Sequence, residues 1–140
     1  FFARDLAAKV IDLSQPVLTA TGAVAKFVEK TEDVLLYADE SQISQILINL
    51  VKNAAQAGAR HIEISAEIDK RDNVIINVSN DGPAISPASQ EEIFIPFFTT
   101  KPDGSGIGLS LSRQIMRMHG GTLRLTRSDS EVTTFTLIFK

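Results

Sequence analysis

The sequence contains no cysteine and two histidines, His61 and His119, so the common nitrogen and sulfur metal ligands are scarce. Without thiols the chain cannot form disulfides, thiolate metal sites or a cysteine nucleophile, and two histidines leave little for a histidine-rich zinc site. Any bound metal is therefore expected to use oxygen ligands.

The chain also lacks an excess of basic charge and long apolar runs. Its 14 Lys and Arg residues stand against 17 Asp and Glu, a formal net charge of −3, so no basic field is available to hold a nucleic acid. No apolar run approaches the roughly 18 residues of a membrane span. The sequence starts at Phe1, with neither a Met nor the charged first region of a signal peptide. We expect a soluble piece of a longer chain, without nucleic-acid binding or direct membrane contact.

Three helices are predicted from apolar residues that recur at helical spacing. The best defined covers 41–57, with Ser41 as its N-cap, and another covers 109–118. The first covers 4–20, although Pro16 would strain its second half. Its apolar stripe consists of Leu6, Val10, Leu13 and Val17.

The strands are predicted from short runs rich in β-branched and aliphatic residues, bounded by turn residues. These runs cover 23–29, 34–37, 61–68, 74–79, 122–126 and 132–139. Hydrophobic residues make up 44% of the chain, enough for the core of one domain over residues 1–140. The expected fold class is α/β (α+β), a two-layer sandwich in which a mixed, mainly antiparallel sheet is covered by helices on one face.

The helix predicted over 41–57 carries an unusual polar face. Six residues fall in one arc opposite the aliphatic face and are nearly all amides, although each Asn costs roughly 0.6 kcal/mol of helix propensity relative to Ala. Carboxamide oxygens can complete a Mg²⁺ shell that already holds phosphate oxygens. An ordinary solvated face is the alternative. The six are Gln42, Gln45, Asn49, Lys52, Asn53 and Gln56.

A sharp turn at Asp81-Gly82-Pro83 follows the strand predicted over 74–79. A plain β-turn explains these residues. Because ligands gather where strand ends meet loops, an Asn or Asp side chain here could also hydrogen-bond an exocyclic amine.

The glycine-rich stretch 104–109 leads directly into a predicted helix. Closely spaced glycines let backbone N–H groups converge on an anion, and a helix amino terminus adds partial positive charge, which suits a di- or triphosphate. Structural capping of the helix is the alternative.

The preceding segment, 93–106, is predicted to be a mobile flap hinged near Pro96 and Gly104. Within it, Lys101 could neutralise phosphate charge or be an ordinary solvated lysine. Phe97 and its neighbour Phe98 could equally plug the core at the base of the loop.

Four segments in this order resemble the ATP-binding catalytic domain (HATPase_c) of sensor histidine kinases, in the GHKL ATPase superfamily. QILINLVKNAAQAG (45–58) is similar to the family's N box, NDGPAI (80–85) to its first glycine box, IFIPFFTTK (93–101) to its F box and GSGIGLSL (104–111) to its second glycine box. Any one box is weak, but four in order are highly specific. The resemblance covers nearly the whole chain and implies ATP held between the N-box helix and a lid.

The resemblance implies roles for individual residues. Asn53 matches the Mg²⁺-coordinating asparagine, Asn49 lies one turn earlier, and Lys101 belongs to the ATP lid; these three are the expected catalytic residues. Thr133 matches a threonine near the adenine. The expected nucleotide-binding set is Asn49, Lys52, Asn53, Gln56, Asn80, Asp81, Gly82, Ala84, Ile85, Phe97, Thr99, Thr100, Lys101, Gly104, Ser105, Gly106, Ile107, Gly108, Leu109 and Thr133.

Three departures from the family pattern affect the adenine end. Where the family usually has Asp-Asn-Gly, this chain has Asn80-Asp81-Gly82, so the adenine contact falls on Asn80. Its side-chain carbonyl can still accept that hydrogen bond, without charge assistance. Ala84 replaces the second glycine of the box and Val132 a common glycine before Thr133, which would narrow the pocket without closing it.

Asn49 separates two mechanisms. ATP-hydrolysing relatives carry a Glu there as general base for water, and an Asn cannot take that proton. The resemblance therefore implies that this domain polarises the γ-phosphate while a histidine followed by an acidic residue arrives from a separate dimerisation domain. His61 precedes Ile62 and His119 precedes Gly120, so neither fits that acceptor.

Three functions stay open from the sequence. The first, favoured by the wording FFTTK and GSGIGLS, is a protein-histidine kinase catalytic domain of two-component signal transduction. The second is a GHKL-type nucleotide switch or Ser/Thr protein kinase such as an anti-sigma factor. The third is a degenerate interaction module without ATP affinity.

The first function implies ATP and Mg²⁺ as cofactors. Its implied partners are the dimerisation and histidine-phosphotransfer domain of the same parent protein and a downstream response regulator. We expect a monomeric fragment of a homodimeric parent, located in the cytoplasm even where the parent is anchored in an inner membrane.

Overall fold

The computed structural model describes residues 1–90, 92–95 and 108–140. A 3₁₀ turn covers Glu92–Phe94, and none of the described helices is both long and apolar enough to cross a bilayer. The helices are α1 (Ala3–Leu13), α2 (Gln15–Thr21), α3 (Glu40–Gln56), α4 (Pro87–Gln90) and α5 (Gly108–Met118). The strands are β1 (Val24–Glu29), β2 (His61–Ile68), β3 (Val74–Asn80), β4 (Thr122–Ser128) and β5 (Thr133–Phe139).

The five strands form one mixed sheet in the order β1-β2-β3-β5-β4. β1 and β2 are parallel and are joined through α3, whereas the other neighbours are antiparallel. The β2–β3 hairpin turns where Asp69 accepts hydrogen bonds from the backbone N–H groups of Arg71 and Asn73. The structure confirms the predicted fold class.

The core lies between the helices and one face of the sheet. Side chains alternate along each strand, so Ile62 and Ile64 of β2 and Ile76 and Val78 of β3 are buried on the helix side. The opposite face carries polar partners instead. Thr136 donates to Asn77 and pairs with Thr126, and Ser79 pairs with Thr134.

The prediction of one helix over 4–20 was wrong, because α1 ends at Leu13 and α2 begins at Gln15. Pro16 has no N–H to donate inside a helix, and it lies in the first turn of α2, where none is needed. The break between the two helices means that the predicted apolar residues do not all face the core. Leu6 and Val10 are buried as predicted, but Leu13 is 55% exposed.

The strand predicted over 34–37 is reduced to one isolated antiparallel bridge between Leu35 and Phe2. Val34 and Leu36 are buried while Leu35 and Tyr37 are exposed, so side chains alternate here as in a strand. A ladder does not form because Phe2 is followed at once by α1 and offers no further extended residues for pairing.

The N-cap of the central helix is Asp39 and not Ser41. The Asp39 carboxylate accepts a hydrogen bond from the backbone N–H of Gln42 at 3.0 Å, and α3 begins at Glu40. The negative charge of an aspartate is also stabilised by the positive end of the helix dipole, whereas a serine carries no charge.

Two strand ends extend beyond their predicted limits and reach the candidate site. β3 continues to Asn80, which pairs in register with Thr133 at the start of β5. β4 continues to Ser128 after an irregularity between Leu125 and Arg127. That bulge brings Ser128 opposite Thr133.

Candidate functional site

The polar face of α3 forms one wall of the candidate site. Lys52 and Gln56 are exposed, whereas Asn49 and Asn53 are half-buried between the helix and its neighbours. The side-chain nitrogen of Asn49 is buried and has no hydrogen-bond partner among the described residues. A buried amide donor without an acceptor costs about 1 to 3 kcal/mol, so this atom is suited to a ligand oxygen.

The amino terminus of α5 lies directly against Asn49. A Cβ atom built on Gly108 would stand 2.6 Å from the Asn49 side-chain oxygen and 2.8 Å from its nitrogen. A side chain at this position would therefore displace the Asn49 side chain, and the first turn of α5, the positive end of its helix dipole, lies beside the amides of α3.

The second wall is formed by the ends of β3 and β5 on the helix side of the sheet. Asn80 and Thr133 are directly opposite each other in the ladder, and Thr133 is buried. The Asn80 side-chain oxygen accepts a hydrogen bond from the backbone N–H of Gly82 at 2.9 Å. Gly82 is itself buried, and a Cβ atom built on it would lie 3.3 Å from the Cβ of Ala59, which follows α3 in the chain.

Ser128 is a site residue that the sequence analysis missed. Its hydroxyl accepts a hydrogen bond from the backbone N–H of Ile85 at 2.8 Å and pairs with the Thr133 hydroxyl at 2.9 Å. It thereby ties the loop after β3 to the start of β5. No local sequence signal could have identified Ser128, because its position depends on the bulge in β4.

Asp81 holds the turn after β3 against the start of β2. Its carboxylate accepts from the backbone N–H groups of Arg60 and His61 at 2.8 and 2.9 Å, and its second oxygen lies 2.8 Å from His61 Nδ1. The hydrogen bond from the His61 backbone, followed by that from the His61 ring, lowers the pKa of Asp81 to about 2. Asp81 thus supports the turn that carries Asn80.

Replacing Asp81 with Asn should remove a pH-dependent part of the stability. Because the folded-state pKa lies below the ordinary value of 3.8, the stabilisation is complete above about pH 4 and is lost as the pH falls toward 2. Partial exposure keeps it below about 1 kcal/mol. Urea unfolding of both chains at pH 2, 3, 4 and 6 should show a difference that grows from pH 2 to 4 and then stays constant. Parallel curves would contradict this assignment.

Phe94 connects the loop region to both layers. Its ring packs edge-on against Phe135 of β5 at 6.3 Å between centroids, and the guanidinium of Arg113 on α5 lies 4.0 Å from its centroid. The 3₁₀ turn that carries Phe94 thus anchors the chain before residue 96 to β5 and α5.

Part of the predicted site lies outside the described residues. Three predicted site residues not yet placed lie within the described residues: Ala84 is exposed, and Ile85 and Leu109 are half-buried. The predicted site residues outside the described part are Phe97, Thr99, Thr100, Lys101, Gly104, Ser105, Gly106 and Ile107.

The described residues fit a nucleotide phosphate with a hard cation. Among them there is no group of three or more His, Asp or Glu side chains that could hold a metal ion. A cation here would therefore rest on the carboxamide oxygen of Asn53 and on ligand oxygens, a donor set that suits Mg²⁺. The unpaired Asn49 nitrogen fits a phosphate oxygen.

Comparison with known proteins gives consistent results. A family model described as histidine kinase-, DNA gyrase B- and HSP90-like ATPase matches residues 38–140. The sensor histidine kinase ZraS of Salmonella typhimurium is 38% identical over 104 residues, which are 73% of this chain and 22% of ZraS. The histidine-protein kinase AtoS of Escherichia coli K12 is 36% identical over 129 residues, 87% of this chain and 21% of AtoS.

Solved structures show the same relationship. The catalytic domain of the histidine kinase ThkA, in a nucleotide-free form, matches with a TM-score of 0.86 and 34% identity, over 99% of this chain and 92% of that one. By contrast, the chain spans about a fifth of the length of the curated relatives named above. The chain therefore belongs to the histidine kinase-, DNA gyrase B- and HSP90-like ATPase family and is, within it, a catalytic domain of the sensor histidine kinase type.

Proposed function

We propose that this domain binds Mg-ATP and transfers the γ-phosphate to a histidine on a separate dimerisation and phosphotransfer domain of its parent protein. The observation that carries the proposal is the buried side-chain nitrogen of Asn49, which lies against the amino terminus of α5 and has no hydrogen-bond partner in the described part of the chain. A neutral amide donor and a helix amino terminus together favour a phosphate group. The sensor kinases ZraS and AtoS support the same activity.

The two walls would bind different parts of the nucleotide, the phosphates at α3 and the adenine at the strand ends. Asn53 would hold Mg²⁺ and Asn49 would donate to a phosphate oxygen, with Lys101 adding positive charge from the lid. Mg²⁺, when bound, neutralises charge on the phosphates and polarises the transferred group.

At the other wall, Asn80 and Thr133 would receive the adenine. The Asn80 side-chain oxygen uses one lone pair for the N–H of Gly82, and its second lone pair can accept from the adenine amine. Ser128 holds Thr133 and the loop at Ile85 in place, so this wall is preformed.

Transfer, rather than hydrolysis, follows from the absence of a base at position 49. An amide cannot deprotonate water, so the nucleophile must be supplied by another segment. His61 is bound to Asp81, and both ring nitrogens of His119 contact the backbone. Neither histidine is followed by an acidic residue, which supports an acceptor histidine on another domain and, with it, a response regulator as the downstream partner of the proposed function.

The test is a calorimetric titration with a non-hydrolysable ATP analogue, in Mg²⁺ and in EDTA. We expect Mg²⁺-dependent binding that weakens at least about thirtyfold in Asn53→Ala, because the cation loses the ligand that we propose for it on α3. Gln114→Ala, which removes an exposed amide in the middle of α5, is the control and should bind normally. Absence of binding in the unaltered chain would contradict the proposal and favour a degenerate interaction module.

Phosphoryl transfer is tested by adding the dimerisation domain of the parent and labelled ATP. An acid-labile, base-stable phosphate on that domain would support the histidine kinase function. An acid-stable phosphate on Ser or Thr would instead indicate a kinase of the anti-sigma type.

A further inference from the structure

His119, just after α5, makes two hydrogen bonds that define its chemical state. Its Nδ1 lies 2.9 Å from the carbonyl oxygen of Ile115, and its Nε2 lies 3.2 Å from the backbone nitrogen of Asp39. A carbonyl only accepts and a backbone N–H only donates. Nδ1 therefore carries the proton and Nε2 carries none, so the tautomer that is protonated at Nδ1 makes both hydrogen bonds.

The second of these bonds joins α5 to the start of α3. Asp39 is the N-cap of α3, and its carboxylate is already used by the N–H of Gln42. Its own backbone N–H points outward from the helix and is satisfied by His119. The carboxyl end of α5 is thus attached to the amino end of α3.

The opposite end of α5 lies against the middle of α3, where Gly108 meets Asn49. Asn49 lies ten positions after Asp39 and His119 lies eleven positions after Gly108, so the two spans are about 15 and 16 Å of helix. The two helices run antiparallel and are held together at both ends of this span. A shift at His119 therefore changes how the amino terminus of α5 meets Asn49.

We propose that His119 is a positioning residue for the nucleotide phosphates. By holding the carboxyl end of α5 on the N-cap of α3, it keeps the first turn of α5 aligned with the amide face of α3. The inference rests on the nucleotide binding proposed above. His119 itself lies at the far end of α5 and does not contact the ligand.

The test compares two amides that differ in reach. His119→Gln extends far enough for its side-chain oxygen to replace Nε2 as acceptor for the Asp39 N–H. His119→Asn can still donate to the Ile115 carbonyl but is too short to reach Asp39. We expect His119→Asn to weaken binding of the ATP analogue with Mg²⁺ about tenfold, and His119→Gln to stay within about threefold of the unaltered chain.

Two further measurements separate positioning from general stability. The Asp39 amide should exchange its hydrogen faster in His119→Asn and not in His119→Gln. Phe27→Ala, in β1 at the sheet edge opposite β4, should lower the melting temperature without changing nucleotide affinity.

The outcomes distinguish the two proposals. Equal affinities in the Asn and Gln variants, with the unaltered chain binding nucleotide, would overturn the role of His119 and leave the proposed function intact. An affinity loss in Phe27→Ala as large as that in His119→Asn would also overturn it. Absence of binding in the unaltered chain would overturn both proposals.

Discussion

Replacing Gly121 with Ala is expected to destabilise the domain by about 3 kcal/mol, the upper end of the usual cost of overpacking, because the atom in the way belongs to the backbone. Gly121 is buried between α5 and β4, and an added Cβ would overlap the carbonyl oxygen of Ile138 and lie 3.0 Å from the Met116 methyl group. Ile138 pairs with Thr122 in the β4–β5 ladder, so its backbone cannot retreat without breaking that pairing.

The neighbouring glycine provides a matched control. Gly120 has φ +72°, a left-handed conformation, but a Cβ built there meets no atom within 4 Å. Gly120→Ala should therefore cost about 1 kcal/mol from backbone strain alone. Thermal and urea unfolding of both variants should rank Gly121→Ala as clearly the less stable. The reverse order would show that conformation, and not space, determines the need for glycine here.

Replacing Gly108 with Ala is expected to reduce affinity for the ATP analogue by at least about tenfold while changing stability little. The added Cβ would stand 2.6 Å from the Asn49 oxygen, so either the Asn49 side chain leaves its position or α5 moves away from α3. Both movements disturb the proposed phosphate site. Stability changes little because the clash is with the end of a side chain, and Ala gains about 1 kcal/mol of helix propensity over Gly.

A double-mutant cycle makes this prediction specific. Asn49→Ala removes the atoms with which the Cβ collides, so the double variant should bind nucleotide about as well as Asn49→Ala alone. Gln114→Ala, an exposed change on α5, should have no effect and controls for altered helix propensity. Normal binding by Gly108→Ala would mean that the contact between α5 and Asn49 does not shape the site.

The family could be predicted from the sequence because each of its four motifs is a continuous stretch of residues. Spacing along one helix is enough to place Asn49 and Asn53 on the same face, and the structure has both half-buried on α3. Strand patterns predicted β2 completely and β3 to within one residue. The roles assigned to individual site residues stay predictions.

The errors fall where tertiary contacts compete with local preference. Ser41 and Asp39 are both capping residue types, and the one that caps α3 is Asp39, whose backbone N–H also bonds to His119 eighty residues away. Similarly, 34–37 is rich in aliphatic residues as a strand would be, but it has one residue pair with which to form a bridge.

The sequence by itself determined the fold class, the family and the amide face of α3, because these depend on periodicities and motifs within single elements. The tertiary structure decided which contacts each member of Asn80-Asp81-Gly82 makes, how Ser128 reaches Thr133, and what a side chain at Gly108 or Gly121 would collide with. Each of these depends on distances between elements that are far apart in the chain. Such distances follow from how sheet and helices pack together, and no local pattern of residues encodes them.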